Sequence, residues 1–195
     1  MKSKIWGVIS ICVGILLILS SAGFMVYNLW DETRAAEKAA RTTQILCEII
    51  DAQEQQDTSS AAQEDETEPG IVIDGETYIA VLGIPPLGLE LPVNKHWSYS
   101  KLSESPCRYS GSIGNSLVIA AHNYKNHFGD IAKLSRGDTV TLTDVEGRRY
   151  LYSAEEVTTL GATSIDEMVN SGYDLTLFTC NYSGSVRVTV RCKQN

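Results

Sequence analysis

Residues 5–29 are almost wholly apolar and carry no charge. As a helix these 25 residues extend about 37 Å, enough to cross a bilayer with some tilt. The pattern then changes. Residues 31–56 are rich in Ala, Glu, Gln and Arg and lack Gly and Pro, which predicts a second helical stretch. Ile45, Ile49 and Ala52 form one apolar stripe, and Leu46 and Ile50 widen it. The expectation is a juxtamembrane stalk; docking on the following domain, or pairing with another copy, is the alternative. Residues 57–70 hold five acidic residues, Ser59, Ser60 and a Pro-Gly stop. Such a segment cannot bury enough apolar surface to fold, and it reads as an acidic linker.

From residue 71 onward the pattern is one of short strands separated by turns. Residues 78–82 and 116–121 are apolar runs of strand length. Residues 139–143 alternate, turn at 144–147 and return through 149–153, a hairpin signature. Residues 155–160, 175–179 and 186–191 complete the strand-like set. Helical candidates are brief: 128–134, and 165–169 behind a Ser164 cap with Glu167 three residues on. Many β-runs and few helices predict a mainly β domain over 71–195, a barrel or a sandwich.

Charge adds a topology. Lys2 and Lys4 precede the apolar run, and Asp31 and Glu32 follow it. The positive-inside rule puts the N-terminus in the cytoplasm, with residues 1–30 as a single-pass anchor and the rest outside the cell. Trp6, Tyr27 and Trp30 lie near its ends, where interfacial aromatics are favoured. A cleaved signal peptide is the competing reading, with Ser20-Ser-Ala22 as its cleavage site. The apolar Phe24-Met-Val-Tyr27 continues past that site and favours the anchor. The net charge of −8 argues against a nucleic-acid partner, which needs a basic stripe.

Of the five cysteines, Cys12 is in the anchor. Cys47, Cys107 and Cys192 read as buried or incidental thiols, with a Cys107–Cys192 bridge left open. Cys180 is different. It ends the apolar run Leu175-Thr-Leu-Phe-Thr-Cys180, as His122 ends Ser116-Leu-Val-Ile-Ala-Ala121, and Arg187 follows seven residues after the cysteine. A thiol, an imidazole and a guanidinium at the edges of β-elements are the parts of a cysteine acyl-transfer centre: nucleophile, proton carrier and anion stabiliser. With ordinary pKa values, only about 3% of a cysteine is thiolate at neutral pH. A neighbouring guanidinium lowers that barrier and donates to an oxyanion. Arg191 competes with Arg187, because positions four apart on a strand share a face. His96 reads as a surface or packing residue. His127, in a loop, is a minor rival to His122. No His/Cys pair has structural-zinc spacing, so no metal is expected.

In this order the residues resemble the sortases, membrane-anchored cysteine transpeptidases of mainly Gram-positive bacteria. The resemblance covers about residues 81–192. It rests on Leu82-Gly-Ile-Pro-Pro-Leu-Gly-Leu-Glu-Leu-Pro-Val93, on Asn115-Ser-Leu-Val-Ile-Ala-Ala-His122-Asn-Tyr, on Arg136-Gly-Asp-Thr-Val140, on Thr176-Leu-Phe-Thr-Cys180 and on Arg187. Where the family usually has Gly before the histidine, this chain has Ala121.

The resemblance implies a closed eight-stranded β-barrel with short helices. It implies Cys180 as nucleophile, His122 as general acid/base and Arg187 as the cation at the reacting carbonyl. Thr179 is a candidate to contact substrate or shape the oxyanion site; the plainer reading is a β-former with a satisfied hydroxyl. Asn123 is a second substrate-side candidate, helping to orient the loop after His122. Glu155 and Glu156 are candidates for a calcium site of the kind some sortases have; exposed acids on a strand edge are the commoner explanation. The implied partners are surface proteins bearing a sorting motif and an amine acceptor in a peptidoglycan precursor. Class stays open between B-like and D-like. Lys125-Asn-His-Phe-Gly129 is similar to class B, but the short segment between Glu156 and Leu175 does not suit that class's long helical insertion. The chain ends at Asn195 without a second apolar segment, which disfavours the pilin-polymerising type. Two other readings compete: a hydrolytic membrane-anchored cysteine protease, and a non-catalytic extracellular β-module.

Overall fold

The computed structural model describes residues 2–54, 69–181 and 183–195, so most of the expected acidic linker lies outside the described residues. Lys2–Glu54 form one continuous α-helix, α1. It belongs to two compact units, residues 1–34 and residues 35–195. In the first unit the apolar side chains, among them Leu16, Leu17, Phe24 and Met25, point outward with no protein cover. This helix is long and apolar enough to cross a membrane.

In the second unit the rest of α1 lies against a β-barrel. Its buried side is Ala35, Ala39, Thr42, Thr43, Leu46 and Ile50, a run at helical spacing. Leu46 and Ile50 pack with Ile73, Tyr78, Val81 and Val145. The seam differs from the stripe expected from sequence: Ile45 and Ile49 are half-buried and Ala52 is exposed. Small residues set it. Ala and Thr let the helix backbone come close to the barrel, and a count of large apolar residues overlooks them. The docked alternative, not the free stalk, describes this stretch.

The barrel strands are β1 (Ile71–Ile73), β2 (Glu76–Ile84), β3 (Leu89–Asn94), β4 (Cys107–Ser112), β5 (Asn115–Ala121), β6 (Thr139–Asp144), β7 (Arg149–Gly161), β8 (Leu175–Cys180) and β9 (Val186–Gln194). They form one sheet in the order β1-β2-β3-β4-β5-β8-β9-β7-β6, and β6 pairs back onto β2. That last pairing closes a ring of eight strands, as the family resemblance implies, with β1 as a short ninth beside β2. At this seam Gly83 pairs with Thr141, and a side chain on Gly83 would collide with the Thr141 hydroxyl.

β5 and β8 pair in parallel, from Leu117↔Leu175 to Ala121↔Thr179. Both are buried on both faces, which explains why each reads as an unbroken apolar run rather than an alternation. Their inward residues, including Leu117, Ile119, Leu175 and Leu177, join the barrel core. Their outward residues, Val118, Ala120 and Phe178, join a second cluster with Leu160 and Met168. Met168 belongs to a short helix, α3 (Ile165–Val169), in the β7–β8 connection. Ser164 precedes α3 but its side chain makes no cap hydrogen bond, contrary to expectation. The helix expected at 128–134 is a single 3₁₀ turn, Ile131–Lys133. A further short helix, α2 (Tyr99–Leu102), lies between β3 and β4 and is capped by Ser98.

Candidate active site

Side chains alternate along a strand, so Cys180 projects to the same side as Phe178, the outer face of the barrel. His122 follows β5 directly and continues the side of Val118 and Ala120. Ala121 is the register partner of Thr179, which puts His122 and Cys180 side by side at the ends of neighbouring strands, with a spacing of about 4.8 Å between parallel strand axes. On the other flank Cys180 is the direct register partner of Arg187. Three adjacent strands thus set out imidazole, thiol and guanidinium in one row. Cys180 and His122 are half-buried, open enough for a substrate to reach.

The two arginines of β9 are in different states. Among the described residues, Arg187 is held at its end, where Nη1 donates to the Gly184 carbonyl at 3.2 Å. Arg191 is engaged through both terminal nitrogens, while its Nε is buried without a hydrogen-bond partner. Its Nη1 donates to Glu156 at 2.9 Å, its Nη2 donates to the Glu167 carbonyl at 3.1 Å, and its guanidinium lies 5.7 Å from the Tyr173 ring centroid. Arg191 ties β9 to β7 and α3.

The other cysteines of the barrel are unsuited to attack. Burial pushes the thiols of Cys107 and Cys192 up to about 12, so neither ionises near neutral pH. All five cysteines are free thiols.

The loop after β5 shapes the histidine. Phe128 N–H donates to the His122 carbonyl at 3.1 Å, and His127 and Gly129 N–H both donate to the Tyr124 carbonyl at 2.9 Å. A side chain at Gly129 would meet the Asn123 carbonyl oxygen at 2.6 Å, so the loop tolerates only glycine there. The Tyr124 ring stacks on the His122 ring, centroids 4.2 Å apart and planes within 4°. Sequence reasoning passed over Tyr124; its signal was only an aromatic two residues after the histidine. Asn123 lies against His122 on the side of Nδ1, with Oδ1 at 2.8 Å and its backbone nitrogen at 2.9 Å.

His127 does not suit the role of base. It is fully buried, and neither ring nitrogen has a hydrogen-bond partner. Burial first, and the charge of His122 second, push its pKa down to about 4. Thr179 is buried, and its hydroxyl donates to the Ala121 carbonyl at 2.9 Å, stapling the end of β8 to the residue before His122. Its hydroxyl is satisfied within the protein rather than presented to the outer face.

Aromatic rings line the outer face near the row. Tyr109 meets Phe178 edge to face at 5.3 Å, Trp97 meets Tyr109 at 5.6 Å, and Tyr99 meets Trp97 at 5.0 Å. Among the calcium candidates, Glu155 pairs with Arg136 at 2.8 Å and Glu156 with Arg191 at 2.9 Å. No three potential metal-binding side chains cluster among the described residues. A divalent cation needs several unclaimed oxygens, so this donor set does not fit one.

Residues 82–195 match the family model of the sortase domain. No curated protein sequence is significantly similar to the chain. Solved structures are. A Clostridium perfringens sortase D5 transpeptidase is 18% identical, with a TM-score of 0.60 over 82% of this chain and 99% of that one. Sortase C1 from Streptococcus agalactiae is 20% identical, with a TM-score of 0.57 over 78% of this chain and 88% of the other. A sortase E mutant from Streptomyces avermitilis is 28% identical, with a TM-score of 0.52 over 60% and 87%.

Proposed function

The chain belongs to the sortase family, and from that premise we propose that it is a membrane-anchored cysteine transpeptidase. The observation that carries this reading is the row of His122, Cys180 and Arg187 across β5, β8 and β9. The Cys180 thiol gives its proton to His122, and the sulfur attacks a backbone carbonyl of a sorting motif. Arg187 donates to the oxyanion of the tetrahedral intermediate, where a fixed donor is worth most. Collapse breaks the peptide bond, His122 returns the proton to the leaving amine, and a thioacyl enzyme remains. An incoming amine, such as one in a peptidoglycan precursor, attacks the thioester. His122 takes its proton and the thiolate leaves. The half-buried Tyr109 ring and the exposed Trp97 ring beside it offer an apolar bed for the peptide. The apolar part of α1 supports an anchor that holds this chemistry at the external membrane surface, with the N-terminus in the cytoplasm.

The test is mass spectrometry of the full chain in detergent with a panel of sorting peptides and amines. An acyl adduct on Cys180 that an amine resolves is the expected result. Cys180→Ala abolishes the adduct, while Cys107→Ala and Cys192→Ala retain it. Resolution by water alone, with every amine ignored, would favour a hydrolytic protease. Turnover by the Cys180→Ala protein would end the sortase mechanism for this chain.

A further inference from the structure

His122 must offer a bare ring nitrogen to the Cys180 thiol, and the surroundings of its other nitrogen decide whether it does. Nδ1 has two neighbours from one residue, the Asn123 side-chain oxygen at 2.8 Å and the Asn123 backbone nitrogen at 2.9 Å. Both cannot be hydrogen bonds at once. If Nδ1 carries the proton, it donates to Oδ1 and Nε2 has a free lone pair. If Nδ1 is bare, it accepts from the backbone N–H, and the proton sits on Nε2, where it blocks uptake from the thiol. We propose that Asn123 is a positioning residue, its side-chain oxygen holding the His122 proton on Nδ1 so that Nε2 is the basic nitrogen.

Three features support that choice. During the reaction the imidazole becomes an imidazolium, in which both nitrogens are donors. Only the Oδ1 contact survives that change, so the Nδ1 proton stays in place through the whole cycle. The stacked Tyr124 ring fixes the plane of the imidazole and keeps Nδ1 turned toward Asn123. The close approach at Gly129 and the hydrogen bonds closing residues 122–129 hold the Asn123 backbone, so its side chain has a fixed origin. An amide adds no charge, so it selects a tautomer without adding an ion pair to the imidazolium.

This inference rests on His122 being the acid/base of the proposed reaction, but its test does not depend on knowing the substrate. Side-chain ¹⁵N shifts of histidine-labelled full chain in detergent micelles, recorded across a pH series up to about pH 8.5 until they stop changing, report which nitrogen of the neutral ring bears the proton. His122→Gln identifies the His122 signals. The expected result is His122 protonated on Nδ1 in the wild type, shifting mainly to Nε2–H in Asn123→Ala and returning to Nδ1–H in Asn123→Asp. In parallel, alkylation of Cys180 by iodoacetamide, followed on its own peptide by mass spectrometry, should slow about tenfold in Asn123→Ala and largely recover in Asn123→Asp. A wild type with Nε2–H on His122, or an Asn123→Ala protein with an unchanged tautomer, overturns the proposal. The wild-type spectrum decides by itself should the alanine variant fold poorly. Failure of every sorting peptide, with the tautomers as expected, would count against the transpeptidase reading and leave the role of Asn123 standing.

Discussion

Arg187 and Arg191 share one face of β9, yet only Arg187 stands opposite Cys180, and among the described residues its guanidinium donates once, to the Gly184 carbonyl. Arg191 is opposite Thr176 and commits its two terminal nitrogens to Glu156 and the Glu167 carbonyl. The two should fail differently. Arg187→Ala should lower kcat by about 10²–10³, the usual loss for one oxyanion donor, with the melting temperature nearly unchanged. Arg187→Lys should restore only part of it, since an ammonium keeps the charge without the planar fork. Arg191→Ala should lower stability, because it strands the carboxylate of Glu156 and frees α3, and leave kcat within about threefold once the protein is folded. Turnover and urea unfolding on the same preparations separate the two; a dead but stable Arg191→Ala protein beside an active Arg187→Ala one reverses the assignment.

The loop between β5 and β6 carries the site's clearest acid sensitivity. His127 has its pKa held near 4 by burial, against about 6.5 in an unfolded chain. The folded protein refuses a proton that the unfolded chain accepts. Stability is therefore complete above about pH 6.5, falls as pH drops through that window, and levels off below 4, for a total of about 3 kcal/mol. His127→Leu should flatten the difference between urea midpoints at about pH 7 and about pH 4.5; a slope equal to wild type would show that the acid response comes from carboxylates. This element also shows what a sequence can and cannot reveal. His122 and Cys180 were legible because each closes an unbroken apolar run, the mark of a strand buried on both faces. Arg187 could not be separated from Arg191, because that choice depends on which residue of another strand faces it. The strand β4, Cys-Arg-Tyr-Ser-Gly-Ser, was missed because its side chains are mostly half-buried and do not alternate. The roles of Glu155 and Glu156 were hidden because each carboxylate pairs with an arginine distant in sequence, Glu155 with Arg136 and Glu156 with Arg191. The seam of α1 was misplaced by one position, since Ala35, Ala39, Thr42 and Thr43 score weakly as apolar yet permit the closest packing.

Across the whole molecule, the docked part of α1 belongs to the barrel's own unit even though residues 2–54 are one helix. Burying Leu46 and Ile50 contributes about 1.5–3 kcal/mol each before the cost of ordering the helix. A protein spanning residues 35–195 should therefore unfold at a higher urea concentration than one spanning 71–195, and Leu46→Ala should remove most of that advantage. Equal midpoints would mean that the seam adds nothing. The proposed catalytic row has a different dependence on the whole. His122 and Cys180 are 58 residues apart in sequence and meet only through the parallel β5–β8 ladder, which cannot form from a local hairpin. Contacts of such long range are slow to assemble. The segment between the two residues contributes β6, β7 and α3, so the proposed nucleophile acquires its neighbours only when most of the wall is built. A partly folded chain thus carries Cys180 without its proposed partners, and chemical competence would arrive as a certificate of complete assembly.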